Sequence, residues 1–174
     1  MEKRTEMIES VFSTPEYLLN LAIQYLNSEQ LIESISILEK IINIYPEYGP
    51  AYNYLGWISF SYLQNPNEAE KLYEKAVALS PEYPLTFVNY SRLLNYLNKH
   101  EKLSEIIATA LKNPSVNQAK IYEEQGKMYE QKNQISKAIN SYKQALIKSL
   151  EIAEVEGIID HIDRCNLKLE FQLD

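Results

Sequence analysis

The stretch YNYLGWISF, residues 52–60, decides how this chain is read. A glycine inside an apolar helical run costs about 1 kcal/mol relative to alanine. Yet Gly56 lies between Leu55 and Trp57 with no proline or polar cluster to mark a turn. A small residue placed there implies that something large must come close. The chain's one tryptophan beside it raises a second question, about the surface.

The surroundings of that stretch are helical in composition. The 174 residues include only four glycines and seven prolines, too few for a turn-rich sandwich or barrel. Leu, Glu, Lys, Ala and Gln, all strong helix formers, are abundant. Most of the fourteen tyrosines fall within periodic apolar runs. Net charge is −7: residues 1–50 carry −5, residues 51–118 balance, and residues 119–174 carry −2. No segment is basic enough to neutralise phosphates, so nucleic acid is not an expected partner. The single cysteine, Cys165, excludes an internal disulfide framework. The first residues, MEKRTEMIESVFST, have no apolar core run, and no later run is long enough to span a bilayer. The expectation is a cytoplasmic protein without membrane insertion.

Self-similarity is the strongest signal. Pro46 and Pro81, each in a PEY tripeptide, close helical runs 35 residues apart, and Pro114 follows 33 residues later. Between these stops each segment reads as two amphipathic helices joined by a polar link. Small residues recur on the first helix (Ala22, Gly56, Ser91, Gly126) and again on the second (Ser34, Ala69, Ala138, with Leu103 in the third unit). The interval is twelve residues in three units and thirteen in the second, where Asn65-Pro66-Asn67 carries an insertion. Larger residues recur four places further on, at Leu38, Tyr73, Ile107 and Tyr142. Thr14-Pro15-Glu16 reads as a helix start, and Asn65-Pro66-Asn67-Glu68 as another, with Glu68 placed for a capping box.

With YNYLGWISF followed by EAEKLYEKAVALSP, and YEEQGKMYE followed by KAINSYKQALIKS, the chain resembles the tetratricopeptide repeat family. The resemblance implies an all-α fold, a right-handed α-solenoid of about four helix-turn-helix units over 15–150. The units run 15–48, 49–83, 84–116 and 117–150, preceded by an extension (1–14) and followed by a capping helix and tail (151–174). In such stacking, Gly56, Ala69 and Ala76 let helices approach while Tyr52 and Tyr73 fill the space between units. Gly157 is read as the break before the capping helix. The last stretch, LKLEFQLD, alternates apolar and polar; a helix end or frayed tail is expected over 167–173, with a strand pairing to another chain as the alternative.

Chemistry is sparse. His100 lies in a polar link, and His161 with Cys165 offers two ligands four apart, which do not make a metal site. They read instead as a surface histidine and a buried small hydrophobe. No phosphate loop, dinucleotide fingerprint or nucleophile motif is present, so neither cofactor nor catalytic residue is assigned. The resemblance implies instead a groove lined by the first helix of each unit. Its expected residues are Leu19, Ile23 and Asn27; Asn53, Trp57 and Phe60; Asn89, Arg92 and Tyr96; and Glu123, Lys127 and Glu130. Leu19 and Ile23 stand where chaperone-tail binders of the family carry Lys and Asn, which disfavours that ligand. The function expected is a non-catalytic adaptor that captures a partner peptide or helix. The alternatives are a subunit that self-assembles through residues 155–173, and a regulator that senses a peptide.

Overall fold

In the computed structural model residues 14–171 are described. Among them lie α1 (Pro15–Asn27), α2 (Leu31–Ile44), α3 (Gly49–Ser61), α4 (Pro66–Leu79), α5 (Pro84–Tyr96), α6 (His100–Ala110), α7 (Gln118–Gln131), α8 (Ile135–Lys148) and α9 (Ile152–Phe171), with no strand. No helix among the described residues is long and apolar enough to cross a membrane. The described residues form two compact units, one ending at Thr86 and the other beginning at Phe87.

Each link between the two helices of a pair turns through one residue of positive φ. These are Glu29 (61°), Gln64 (51°), Asn98 (54°) and Asn133 (53°), spaced 35, 34 and 35 residues apart. In the first, third and fourth links the backbone closes alike. Glu29, Asn98 and Asn133 donate N–H to the carbonyls of Leu26, Asn95 and Glu130. The following residues donate to the carbonyls of Tyr25, Leu94 and Tyr129 at 2.8–2.9 Å. This pair of bonds satisfies carbonyls that the ending helix leaves open. The inserted residue widens the second link. Leu63 N–H reaches Ile58, Asn65 N–H reaches the Ser59 carbonyl at 2.9 Å, and Ser59 Oγ donates back to Asn65.

Helix starts follow their sequence signals with one correction. Thr14 Oγ1 accepts the Tyr17 N–H, and Asn65 Oδ1 accepts the Glu68 N–H at 3.2 Å. Glu68 does not complete a capping box, because the Asn65 N–H is already committed to Ser59; Glu68 pairs with Lys71 instead.

In the first unit Leu18, Leu19, Ala22, Leu38, Ile41 and Ile58 form the core of α1–α3. Gly56 answers the question raised by its sequence. A Cβ built there would sit 3.0 Å from the Tyr73 ring, so α3 and α4 approach with little room for a side chain between them. Tyr73, fully buried, thus fills its own pair rather than the space between units. Tyr52 donates its hydroxyl to the Pro46 carbonyl at 2.9 Å, while Lys75 lies 4.3 Å over its ring.

In the second unit the same packing is tighter. A Cβ on Gly126 would collide with the Tyr142 ring. Ile135, Ala138, Tyr142 and Ala145 of α8 pack with Ile158 and Cys165 of α9. The break before α9 falls at Ser149–Glu151. Gly157, where a Cβ would meet nothing within 4 Å, lies inside α9, contrary to the expected break there. Residues 167–171 continue that helix, which excludes the strand over this part of the tail. Residues 172 and 173, and most of the expected 1–14 extension, lie outside the described residues.

Candidate functional site

Two surfaces carry the expected groove residues. In the first unit, Leu19 is only 7% exposed and belongs to the core of α1–α3, and Asn53 is fully buried; neither offers surface to a partner. Leu19 follows Leu18 on a helix whose buried stripe is wide enough to take both. Ile23 is half-buried against the same core, while Asn27 is exposed at the end of α1. Trp57 and Phe60 are half-buried. Trp57 packs one side on the core and meets Tyr62 edge to face, ring centroids 5.3 Å apart at 76°.

Beside them lie tyrosines that motif reasoning passed over. Tyr54 and Tyr83 share a side-chain hydrogen bond, and burial raises the pKa of both. Tyr48 is raised too, chiefly by burial and then by the Glu16 carboxylate. These phenols stay neutral and give the first unit an aromatic, amphipathic character. Their signal was the tyrosine count.

The second unit is different. Asn89 is buried, but Arg92 and Tyr96 of α5 are exposed, and Lys127 of α7 is half-buried. They surround Glu124, whose side chain is 4% exposed. Asn95 Nδ2 donates to Glu124 Oε2 at 2.7 Å and to the Glu124 carbonyl at 2.9 Å. Lys127 Nζ lies 3.0 Å from Glu124 Oε1 and 2.6 Å from Glu123 Oε1. Arg92 Nε stands further off, 3.8 Å from Glu124 Oε1. Burial works to lower the Lys127 pKa, but the Glu124 and Glu123 carboxylates outweigh it and leave it raised.

Helix α9 adds a second set of charges. Arg164 grips Glu130 through Nε at 2.8 Å and Nη2 at 2.7 Å, a bidentate pair. Lys168 Nζ reaches the same carboxylate at 2.7 Å, and Tyr142 donates its hydroxyl at 3.0 Å. The hydrogen bond from Arg164, then those from Lys168 and Tyr142, overcome burial and hold the Glu130 pKa down at about 2. Burial and the neighbouring Glu130 raise the Tyr142 phenol. Glu123, bonded first to His161 and then to Lys127, is likewise lowered to about 2. His161 is therefore no free surface histidine: Nε2 lies 3.5 Å from Glu123 and the ring stacks tilted on Tyr142 at 5.0 Å. Nor is His100 in a link; it opens α6, with Nε2 2.9 Å from Gln131 Oε1. Cys165 is fully buried, as a small hydrophobe would be.

The result is an open cleft of about 480 Å³ with side chains from α5, α7 and α9 along it. Arg92, Tyr96 and Lys127 were readable as positions between buried ones on a first helix. Asn95, Glu124, Arg164 and Lys168 were missed. The two cations four apart on α9 were visible in the sequence, but nothing local said that they reach back to α7.

Comparison with known proteins agrees with this architecture. A family model for the tetratricopeptide repeat matches residues 50–83 and 119–146. Comparison with curated proteins gives no sequence match. Among solved structures the chain is similar to pilF of Pseudomonas aeruginosa (TM-score 0.79, 16% identity, 91% of this chain and 70% of that one). It is similar also to yeast Tom70 (TM-score 0.78, 14% identity, 93% and 35%) and to MamA (TM-score 0.67, 22% identity, 83% and 83%). At these identities the likeness is one of fold: an α-solenoid of paired helices.

Proposed function

We propose that this chain, whose residues 50–83 and 119–146 match the tetratricopeptide repeat and whose fold is similar to that of solved tetratricopeptide repeat proteins, is a non-catalytic adaptor holding a partner polypeptide against its first helices. The observation that carries this is the open cleft of the second unit. There Arg92, Tyr96 and Lys127 stand at the surface around a carboxylate that is already satisfied. Half-buried Trp57 and Phe60 supply a second, apolar anchor on the first unit. Aromatic and arginine side chains of this kind commonly dominate binding energy, because they combine large area with few rotamers. Leu19, Asn53 and Asn89, being buried, act as support.

Affinity capture from the source cells, comparing wild type with Arg92→Ala and Trp57→Ala, tests the reading. Retained partners should fall by about tenfold or more with Arg92→Ala, the size of a lost hot-spot contact. Circular dichroism should be unchanged. Capture at wild-type levels by both variants would refute the groove reading.

Self-assembly through α9 has one observation in its favour: Ile152, Leu167 and Phe171 are exposed at 79%, 54% and 80%. Light scattering of the whole chain beside a Leu167→Lys, Phe171→Lys variant separates the two. Only the assembly reading requires a mass that drops.

A further inference from the structure

We infer that the cleft of the second unit takes an acidic segment of its partner, one whose Asp or Glu side chains flank an apolar residue. This rests on the interaction reading and specifies the chemistry of the same site. The lining holds four cations, Arg92, Lys127, Arg164 and Lys168, against two carboxylates, Glu124 and Glu130. In a chain of net charge −7 such a local excess runs against the average.

Depth makes the excess effective. The Glu124 and Glu130 side chains are sunk, at 4% and 9% exposure, whereas Arg92, Arg164 and Lys168 stand at 49%, 46% and 45%. An approaching segment therefore meets cations at the rim with the acids beneath them. The acids are also spent: Glu124 accepts from Asn95 and Lys127, and Glu130 from Arg164, Lys168 and Tyr142. Just outside the lining, Glu123 is held by Lys127 and His161.

The rim cations keep donors in hand. A guanidinium offers five N–H groups and an ammonium three. Arg164 commits two of its five to Glu130, and Arg92 stands at an ion-pair distance of 3.8 Å from Glu124. Counting Glu123, which Lys127 also holds, four cations face three carboxylates, so one positive charge is in excess. Arg92, 3.8 Å from Glu124, and Lys168, second to Arg164 on Glu130, are the least committed of the four. Tyr96, 64% exposed at the edge of the same cleft, gives an apolar side chain of the partner an aromatic face. Carboxylate side chains suit such an array because guanidinium binds them in a planar, bidentate manner.

Selection of a random-peptide display library on the full-length protein tests this, followed by affinity measurements on the enriched peptides. Enrichment of Asp- and Glu-rich peptides is expected. Their affinity should fall about tenfold or more in the Arg92→Gln, Lys168→Gln variant, the consequence of losing charge-assisted bonds. It should weaken again as salt shortens the screening length. Arg164 keeps Glu130 paired in that variant, and an unchanged melting curve verifies the fold. Enriched peptides that are neutral or basic, or acidic peptides indifferent to the double substitution, would overturn the inference while leaving the adaptor reading standing. Enrichment of nothing would count against both. A preference for phosphopeptides over acidic peptides in a follow-up titration would reassign the ligand and likewise overturn it.

Discussion

The α3–α4 pair and the α7–α8 pair share one packing solution and present surfaces of different chemistry. In both, a glycine on the first helix lies under a fully buried tyrosine of the second: Gly56 under Tyr73, Gly126 under Tyr142. The α1–α2 and α5–α6 pairs carry Ala22 with Leu38 and Ser91 with Ile107 at the same positions. Glycine accompanies tyrosine, and a slightly larger residue accompanies an aliphatic one, so the summed volume stays within narrow limits, as close packing requires. Outside the contact the two glycine pairs part company. The α3 face carries Trp57, Phe60 and neutral tyrosines, whereas α7 carries Glu123, Lys127 and Glu130 tied to α9. Repetition constrains the inside of a pair and leaves its outside open to function.

The sharpest way to break this comparison is to add one methyl group. Gly126→Ala should cost about 2–3 kcal/mol, the upper range for overpacking, because its Cβ would collide with the Tyr142 ring. Gly56→Ala, meeting Tyr73 at 3.0 Å, should cost less than about 1 kcal/mol, since helix propensity gains offset part of the strain. Urea unfolding measures both; equal losses would refute the difference in tightness.

The charged outside predicts a pH effect confined to the second unit. The folded Glu130 pKa is held at about 2, below its ordinary 4.5. Its contribution is therefore fully present above about pH 4.5 and is lost as pH falls toward 2. Glu130→Gln should lower stability at neutral pH by about 1–3 kcal/mol, the worth of hydrogen bonds to a charged group. It should also flatten the acid limb of a melting-temperature profile between those values. A wild-type slope retained in the variant would show that other carboxylates govern it.

The links supply a smaller test. Gln64 holds a positive φ without the help that asparagine gives at 98 and 133. Gln64→Gly should stabilise by about 1 kcal/mol, the cost of a left-handed side chain, while Asn133→Gly should do little. Thermal melts of both variants compare them directly. Smallest of all, Gly157→Ala on exposed α9 should add up to about 1 kcal/mol through propensity, with no clash to oppose it. A loss on chemical unfolding would mean that α9 bends there.

The helix pattern was legible because it is local. Periodic apolar residues, capping residues and the recurrence of small against large positions each follow from one helix or one pair. Thus Gly56 announced a close neighbour before that neighbour was known. The surface was legible only in part. Arg92, Tyr96 and Lys127 could be placed from the gaps between buried residues, but Leu19 and Asn53 could not, since a wide apolar stripe absorbs positions that a narrow one would expose. Gly157 misled for a related reason: a glycine marks permissible breaks, and only neighbouring contacts decide whether one is used.

The sequence by itself thus determined the repeat, its period of 34–35 residues, and the recurrence of small positions on the first helices; that each glycine lies against a tyrosine of its own pair was decided by the packing. Tertiary structure alone decided which charges meet. Arg164 and Lys168 lie 34 and 38 residues from Glu130, and His161 lies 38 from Glu123. Long polar side chains have many rotamers, and their partners depend on how α9 is set against α7 and α8. No helical period encodes that register. It is supplied by the packing of Ile158 and Cys165 on α8, which carries the cations to the cleft.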